Sequence, residues 1–287
     1  MTALIRPGLL LPPSAYTGAE RLERERRALF DRGWRIVADH TELAAPGAYV
    51  SADVGRSPLL LVRGHDGVLR AFHNMCRHRG MVLTTDCGSF TNAIACPYHA
   101  WRFGLDGALR AVPQRAEQFS GIELDDRGLL PASVAEWQGM VFASPDPSAP
   151  ALGDLPRGDL GRLHQVALVH VEGECNWKVF VQHHLDEGVR AHLMFPNLLM
   201  VASPQLVVTV AVVPVAPSRS RVELRVRLGS GVSPEAAVAA ARSVVAERIA
   251  VCEQVQRSAG DVGPPVFANV AASSPFRQRV LDAVGDA

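Results

Sequence analysis

Residues 76–80 read Cys76-Arg77-His78-Arg79-Gly80, and residues 96–99 read Cys96-Pro97-Tyr98-His99. Seventeen residues separate His78 from Cys96, so each half of the pattern brings one cysteine and one histidine. Thiolates are soft, anionic donors, and imidazoles are neutral ones that raise a redox potential when they replace thiolates. The donor set therefore predicts a [2Fe–2S] cluster, with Cys76 and Cys96 on one iron and His78 and His99 on the other. Zinc is the alternative. A Cys₂His₂ zinc site gathers its cysteines in one half and its histidines in the other, whereas here both halves are mixed. Gly80 offers a sharp turn behind the first pair, Pro97 stiffens the second loop, and Asp106-Gly107 predicts a hairpin after it.

The 287 residues suffice for two cored domains. Lys and Arg total 29, as do Asp and Glu, and no charge block stands out. Nucleic acid and anionic membrane are therefore not expected partners. No secretory pattern opens the sequence, and the apolar run Leu206 to Ala216 is too short to span a bilayer and contains Pro214. Of five cysteines, the cluster pattern uses two; Cys87, Cys175 and Cys252 read as reduced, buried thiols of a cytoplasmic protein.

Outward from the motif, Thr17 and Glu20 form a capping-box pattern that predicts a helix to about Arg32, with Leu22, Leu29 and Phe30 inward. Short runs near 34–37, 48–54, 58–63, 68–73 and 138–143, punctuated by glycine, predict a small antiparallel β domain with both cluster loops at one end. Tyr98 and Trp101 are expected to pack around the cluster and exclude water. Residues 144–161 read as a linker. Beyond it come a strand at 164–171, a helix at 176–188, a strand pair at 205–215 and 221–228, and a long helix capped by Ser233 with Pro234 at its first position. Ser274-Pro275 predicts the start of a last helix. The fold class is α+β: an antiparallel β domain and an antiparallel sheet gripping a helix, divided at 1–40, 41–150 and 151–287.

The segments N-M-C-R-H-R-G, C-P-Y-H-A-W-R-F-G-L-D-G-A-L-R-A-V-P, N-W-K-V-F-V, F-P-N-L-L-M and V-C-E-Q-V-Q-R, in this order, resemble Rieske non-haem iron oxygenase α-subunits. That resemblance implies a Rieske cluster domain and a second, helix-grip domain with a mononuclear iron held by two histidines and a carboxylate. Counted from the N-W-K and C-E-x-V-Q segments, the three iron-ligand positions fall on Val189, Met194 and Arg248. Valine cannot ligate, a thioether is poorly matched to Fe(II), and a guanidinium has no lone pair to give. The resemblance also implies a second domain truncated between the expected histidine pair and Phe195-Pro196-Asn197.

The expectation is one [2Fe–2S] cluster and no mononuclear iron. The chain then supplies electrons to iron in a partner oxygenase subunit, fed by a ferredoxin or flavin reductase, within a trimer-based hetero-oligomer. Two alternatives stay open. One is a self-sufficient oxygenase with unorthodox ligands from His183, His184, His192, Asp186 or Glu187, where His184, Gly188 and His192 would share a helical face. The other is a non-catalytic assembly subunit with a structural cluster. Arg248, a cation in a former metal pocket, is expected to pair with Asp186 or Glu187.

Overall fold

The computed structural model describes residues 11–114, 117, 119–120, 123–124, 126–153, 155–156, 159–186, 191–261 and 270–285. The chain divides into two compact units, one of residues 30–152 and the other of residues up to 29 together with 153 onward. Their boundaries fall at 29/30 and 152/153, not at the 40/41 and 150/151 of the sequence reading. Trp34 Nε1 donates to the Pro150 carbonyl at 2.8 Å, which holds the first part of the anticipated linker to the unit of residues 30–152.

That unit holds β1 (Arg35–Asp39), β2 (Ala48–Val54), β3 (Ser57–Arg63), β4 (Leu69–His73), β5 (Cys87–Ser89), β6 (Ile94–Ala95), β7 (Arg102–Phe103), β8 (Leu109–Ala111), β9 (Pro131–Trp137) and β10 (Met140–Ser144). Seven strands pair antiparallel in the order β1-β10-β9-β4-β3-β2-β5, and β6-β7-β8 make a separate three-stranded sheet. The strand β3 reads S-P-L-L-L-V-R and is buried on both faces. Leu59 and Leu61 join one core with Val50, Val54 and Val141. Leu60 and Val62 join the other, which contains Cys76, Cys96, Trp101 and Phe103. Period-two alternation lets one strand serve both cores, and the second core is the floor of the cysteine–histidine loops.

The other unit is a five-stranded antiparallel sheet, β11-β15-β14-β13-β12, with helices packed on it. Its strands are β11 (His164–Gly173), β12 (His192–Met194), β13 (Leu198–Ser203), β14 (Leu206–Ala216) and β15 (Arg219–Leu228). Its helices are α1 (Ser14–Thr17), α2 (Ala19–Glu25), α3 (Trp177–Asp186), α4 (Pro234–Asp261) and α5 (Val270–Val284). The 28-residue α4 packs on β11 and β15, the gripped helix of the expected α+β class. Among the described residues, no helix is long and apolar enough to cross a membrane.

Three local expectations are corrected. Thr17 does not cap one long helix: its hydroxyl donates to the Pro13 carbonyl at 3.2 Å. Gly18 is extended at φ −81° and ψ 124°, which breaks the segment into α1 and α2, and a π-helical turn at Arg26–Phe30 follows. Pro275 lies inside α5, not at its start; a proline there removes a single N–H bond from a helix already begun. Cys87 is exposed on the edge strand β5, while Cys175 and Cys252 are buried as expected.

The N-W-K and C-E-x-V-Q segments turn out to fasten each other. Asn176 Oδ1 accepts from Lys178 N at 3.0 Å and so caps α3. The Asn176 amide donates to the Pro217 and Tyr16 carbonyls, and its backbone N–H donates to Gln256 Oε1 at 2.9 Å. Trp177 Nε1 and Lys178 Nζ both reach Glu25 Oε2 at 2.8 Å, and Arg21 Nε lies 3.3 Å from Glu25 Oε1. Lys178 and Glu25 have fully buried side chains, and burial pulls the Lys178 ammonium down to about 8, against the opposing pull of Glu25. Removing one partner of such a pair strands the other charge in a dry interior. Glu25→Ala should therefore destabilise the protein by about 3–5 kcal/mol, with Glu25→Gln less damaging because it can still accept from Trp177; chemical denaturation of the three proteins checks the order.

Candidate metal centre

The two motif loops are built alike. Cys76 N donates to the Met81 carbonyl at 2.8 Å, and Gly80 N donates back to the Cys76 carbonyl at 2.9 Å. In the second loop Cys96 N donates to the Trp101 carbonyl at 2.8 Å, and Ala100 N to the Cys96 carbonyl at 3.1 Å. The closing residue is left-handed in both, Gly80 at φ 75° and Ala100 at φ 55°. Glycine takes that conformation without steric cost, while alanine takes it only where the surrounding bonds enforce it. Each loop therefore turns its cysteine inward and carries its histidine on the returning arm.

Asn74, two residues ahead of Cys76, anchors the first loop and is fully buried. Its Nδ2 donates to Ser51 Oγ at 2.8 Å and to the Thr84 carbonyl at 2.6 Å, and its Oδ1 accepts from Leu83 N and Thr84 N at 3.2 and 3.3 Å. The sequence reading quoted this residue within the motif and gave it no role. Its signal was a polar side chain between the apolar strand β4 and the ligand loop, a place where only a satisfied amide is tolerated.

The four sequence-predicted ligands come together. Cys76 and Cys96 are 2% and 4% exposed, and their thiols are hydrogen-bonding neighbours. Burial, with Cys96 adding to it, pushes the Cys76 thiol up to about 11. The His78 and His99 ring centroids lie 4.7 Å apart. The Nδ1 atoms of both rings are buried and have no hydrogen-bond partner. Burial, then His99 and Arg79, hold His78 below its usual value and so keep it neutral. Two buried cysteines side by side and two rings with orphaned nitrogens fit a mixed thiolate–imidazole metal cluster.

Around the rings, Trp101 stacks on His78 at 4.9 Å and 5°, and Phe119 stands edge-on to both at 5.6 and 5.5 Å. Trp101 is 3% exposed and excludes water as expected. Tyr98 does not: it covers His99 at a centroid distance of 3.8 Å but is 59% exposed. Met75, Met81 and Val82 on the same loop region are exposed as well.

In the sheet-and-helix unit, the described residues singled out for an iron site are not brought together as a ligand set. Val189, Glu187 and Gly188 lie outside the described residues. Met194 is buried on β12, opposite Leu198. The helix α3 ends at Asp186 and His192 begins β12, so His184 and His192 do not share a helical face. Arg248 makes no ion pair with Asp186; its Nε and Nη1 are buried without a hydrogen-bond partner among the described residues. Asp186 acts electrostatically on Arg277 instead. Arg248 acts electrostatically on His184, whose two ring nitrogens are likewise buried and unpartnered. Burial first, then the Arg248 guanidinium and His183, pull His184 from 6.5 to about 4.

Asn74→Ala should cost about 1–3 kcal/mol, because two backbone N–H groups lose their acceptor in a dry site. It should also lower iron retention on purification, with Asn74→Asp intermediate because it keeps the acceptor and loses the donor; iron per chain and denaturation midpoints check this. His184 supplies a pH dependence. Between about 4 and 6.5 the unfolded chain binds a proton that the folded chain refuses. The stability from neutral His184 is therefore full above pH 6.5 and is lost as pH falls toward 4, by up to about 1.4 kcal/mol per pH unit. In a comparison of denaturation midpoints from pH 4 to 7, His184→Phe should lack that part of the slope.

Residues 33–133 match the family described as the Rieske [2Fe-2S] domain. The carnitine monooxygenase oxygenase subunit of Acinetobacter baumannii is 35% identical over 185 residues, covering 61% of this chain and 50% of that protein. The biphenyl 2,3-dioxygenase subunit alpha of Rhodococcus jostii is 34% identical over 199 residues, 64% of this chain and 43% of that protein. The chain thus spans about half the length of the curated relatives it matches. Among solved structures, the quaternary ammonium Rieske monooxygenase CntA in complex with L-carnitine superposes with a TM-score of 0.81 at 24% identity, covering 98% of this chain and 97% of that one. Naphthalene 1,2-dioxygenase with indole bound gives 0.72 at 19% identity, over 100% of this chain and 94% of that one. The structural likeness establishes the fold and the sequence likeness the kinship: this chain carries a Rieske [2Fe–2S] domain and is a homologue of Rieske non-haem iron oxygenase α-subunits.

Proposed function

We propose that this chain is the electron-relaying subunit of a heteromeric Rieske oxygenase, taking electrons from a ferredoxin or flavin reductase and passing them to a mononuclear iron held by a partner subunit. The observation that carries the proposal is the contrast between the two units. One gathers Cys76, His78, Cys96 and His99 with orphaned donor atoms. The other presents a half-buried guanidinium, Arg248, at the position where the family resemblance puts a metal-binding carboxylate. A fixed positive charge repels a metal ion at contact distance. It would equally repel the quaternary ammonium of carnitine, choline or glycine betaine, the compounds named for several of the relatives. Substrate oxidation in this reading therefore belongs to the partner.

When bound, the cluster supplies a one-electron carrier. The chain's own residues do the rest. Cys76 and Cys96 provide the anionic donors, and His78 and His99 the neutral ones through Nδ1, the ring atoms with no protein partner. Trp101 and Phe119 keep water from the inner faces of the rings, which holds the local dielectric low. Exposed Tyr98, lying over His99, gives the site one face toward a redox partner.

The self-sufficient reading retains one specific observation in its favour, the two unpartnered nitrogens of His184. Metal analysis separates the two. Anaerobically prepared protein should contain about two irons and two sulfides per chain, and a stoichiometric further Fe(II), lost in His184→Ala, sinks the relay reading. Turnover should need a second, iron-bearing oxygenase subunit together with a reductase. In that reconstituted system His78→Ala should reduce coupled product formation by at least about a hundredfold while co-purification of the subunits persists. Product formation by the purified chain with a reductase alone would show that it is an oxygenase in its own right.

A further inference from the structure

The packed helices α3 and α4 carry a set of buried donors that no described residue satisfies. His184 on α3 is 5% exposed, and neither of its ring nitrogens has a partner. Arg248 on α4 is within electrostatic reach of it and has Nε and Nη1 buried and unpartnered. Both arginine atoms are obligate donors, and a neutral imidazole offers one further N–H. Burying a charged donor without an acceptor is costly, which is why such groups in folded proteins are almost always paired. The described acids nearest these positions on the two helices are engaged elsewhere. Asp186 acts on Arg277, Glu247 is exposed and accepts from Ser243, and Glu253 accepts from Glu174 N. The flanking α4 residues Val245, Ile249 and Cys252 are buried and cannot neutralise a guanidinium.

We infer that His184 and Arg248 together bind a small monocarboxylate. A carboxylate presents two coplanar oxygens with about four lone-pair directions, enough to accept from Arg248 and from the His184 N–H together. Its single negative charge matches the single positive charge of the half-buried Arg248 guanidinium. A halide has the charge without the two-point geometry, and a phosphate dianion brings more charge than one guanidinium offsets. The position would make this chain responsive to a carboxylate-bearing metabolite, through the helix pair that the N-W-K and C-E-x-V-Q segments lock together. The inference stands apart from the electron-relay reading: carboxylate binding would persist whether or not the chain acts as a relay, and metal analysis tests the latter alone.

The test uses the full-length, cluster-loaded protein at pH 7, with formate, acetate or propionate replacing chloride at constant ionic strength. The melting temperature should climb saturably, by about 5 °C at a hundredfold excess over Kd. Arg248→Leu should begin above the wild type in chloride, since it removes two buried donors that no described residue satisfies, and should not respond to carboxylate. His184→Phe, which retains the stacking against Phe180, should bind about tenfold more weakly, because it loses one charge-assisted hydrogen bond. If Arg248→Leu fails to fold, Arg248→Lys serves in its place: it keeps the charge but loses the planar fork, and should bind at least about tenfold more weakly. An Arg248 variant that responds as the wild type does, an equal response to chloride or phosphate, or a response that is linear and unsaturable would each overturn the inference. So would a crystal structure in formate with only water between the two side chains.

Discussion

Both faces of β3 are buried, and the metal centre depends on that constraint. Leu59 and Leu61 lock the strand into the seven-stranded sheet, while Leu60 and Val62 form the floor on which Cys76, Cys96, Trp101 and Phe103 pack. Register is strongly specified in such a strand, since a slip by one residue would exchange the two cores. Two loops from different sheets thereby meet at a fixed place. Each is closed by the same pair of backbone hydrogen bonds and by a left-handed residue, Gly80 or Ala100, which turn the cysteines inward. Such preorganisation lowers the entropy that cluster binding must offset.

The sheet-and-helix unit shows the opposite economy. A set of its buried polar side chains, Glu25, Lys178, Asn176 and Gln256, hydrogen-bond to one another or to backbone groups. Family-like segments that look functional in the sequence do structural work here. His184, Arg248 and Arg277 each carry two buried side-chain nitrogens without a hydrogen-bond partner, and Arg21, Arg24 and Arg227 one each. Native proteins leave few buried polar groups unpaired, and those that remain cluster where something else is meant to bind. Chemical interest in this unit therefore lies where the hydrogen-bonding account fails to close.

Much of this was legible in the sequence. Cys76, His78, Cys96 and His99 were identified from donor chemistry and spacing, because thiolate and imidazole have few reasons to recur in that mixed order. The strands at 48–54, 57–63, 164–173 and 219–228 were found within a few residues, since alternation and glycine punctuation are local signals. The long helix α4 was found from Ser233 and Pro234 for the same reason. Capping at Thr17 was misread because the hydroxyl could serve either the following N–H groups or the preceding carbonyl, and only the extended Gly18 decides.

The sequence by itself determined which atoms can hold a cluster, because ligand identity is a property of side chains. It also determined that a cation occupies position 248, because arginine is charged wherever it is placed. Only the tertiary structure decided which neighbour that cation meets. The family resemblance pointed to Asp186 and Glu187; Glu187 lies outside the described residues, while Asp186 acts on Arg277 and Arg248 acts electrostatically on His184. It also decided that Asn74 is the anchor of the first loop and that Tyr98 lies on the outside of the second. Ion pairs and buried amides are settled by distances of a few ångströms between elements far apart in sequence, and no periodicity along the chain encodes those distances.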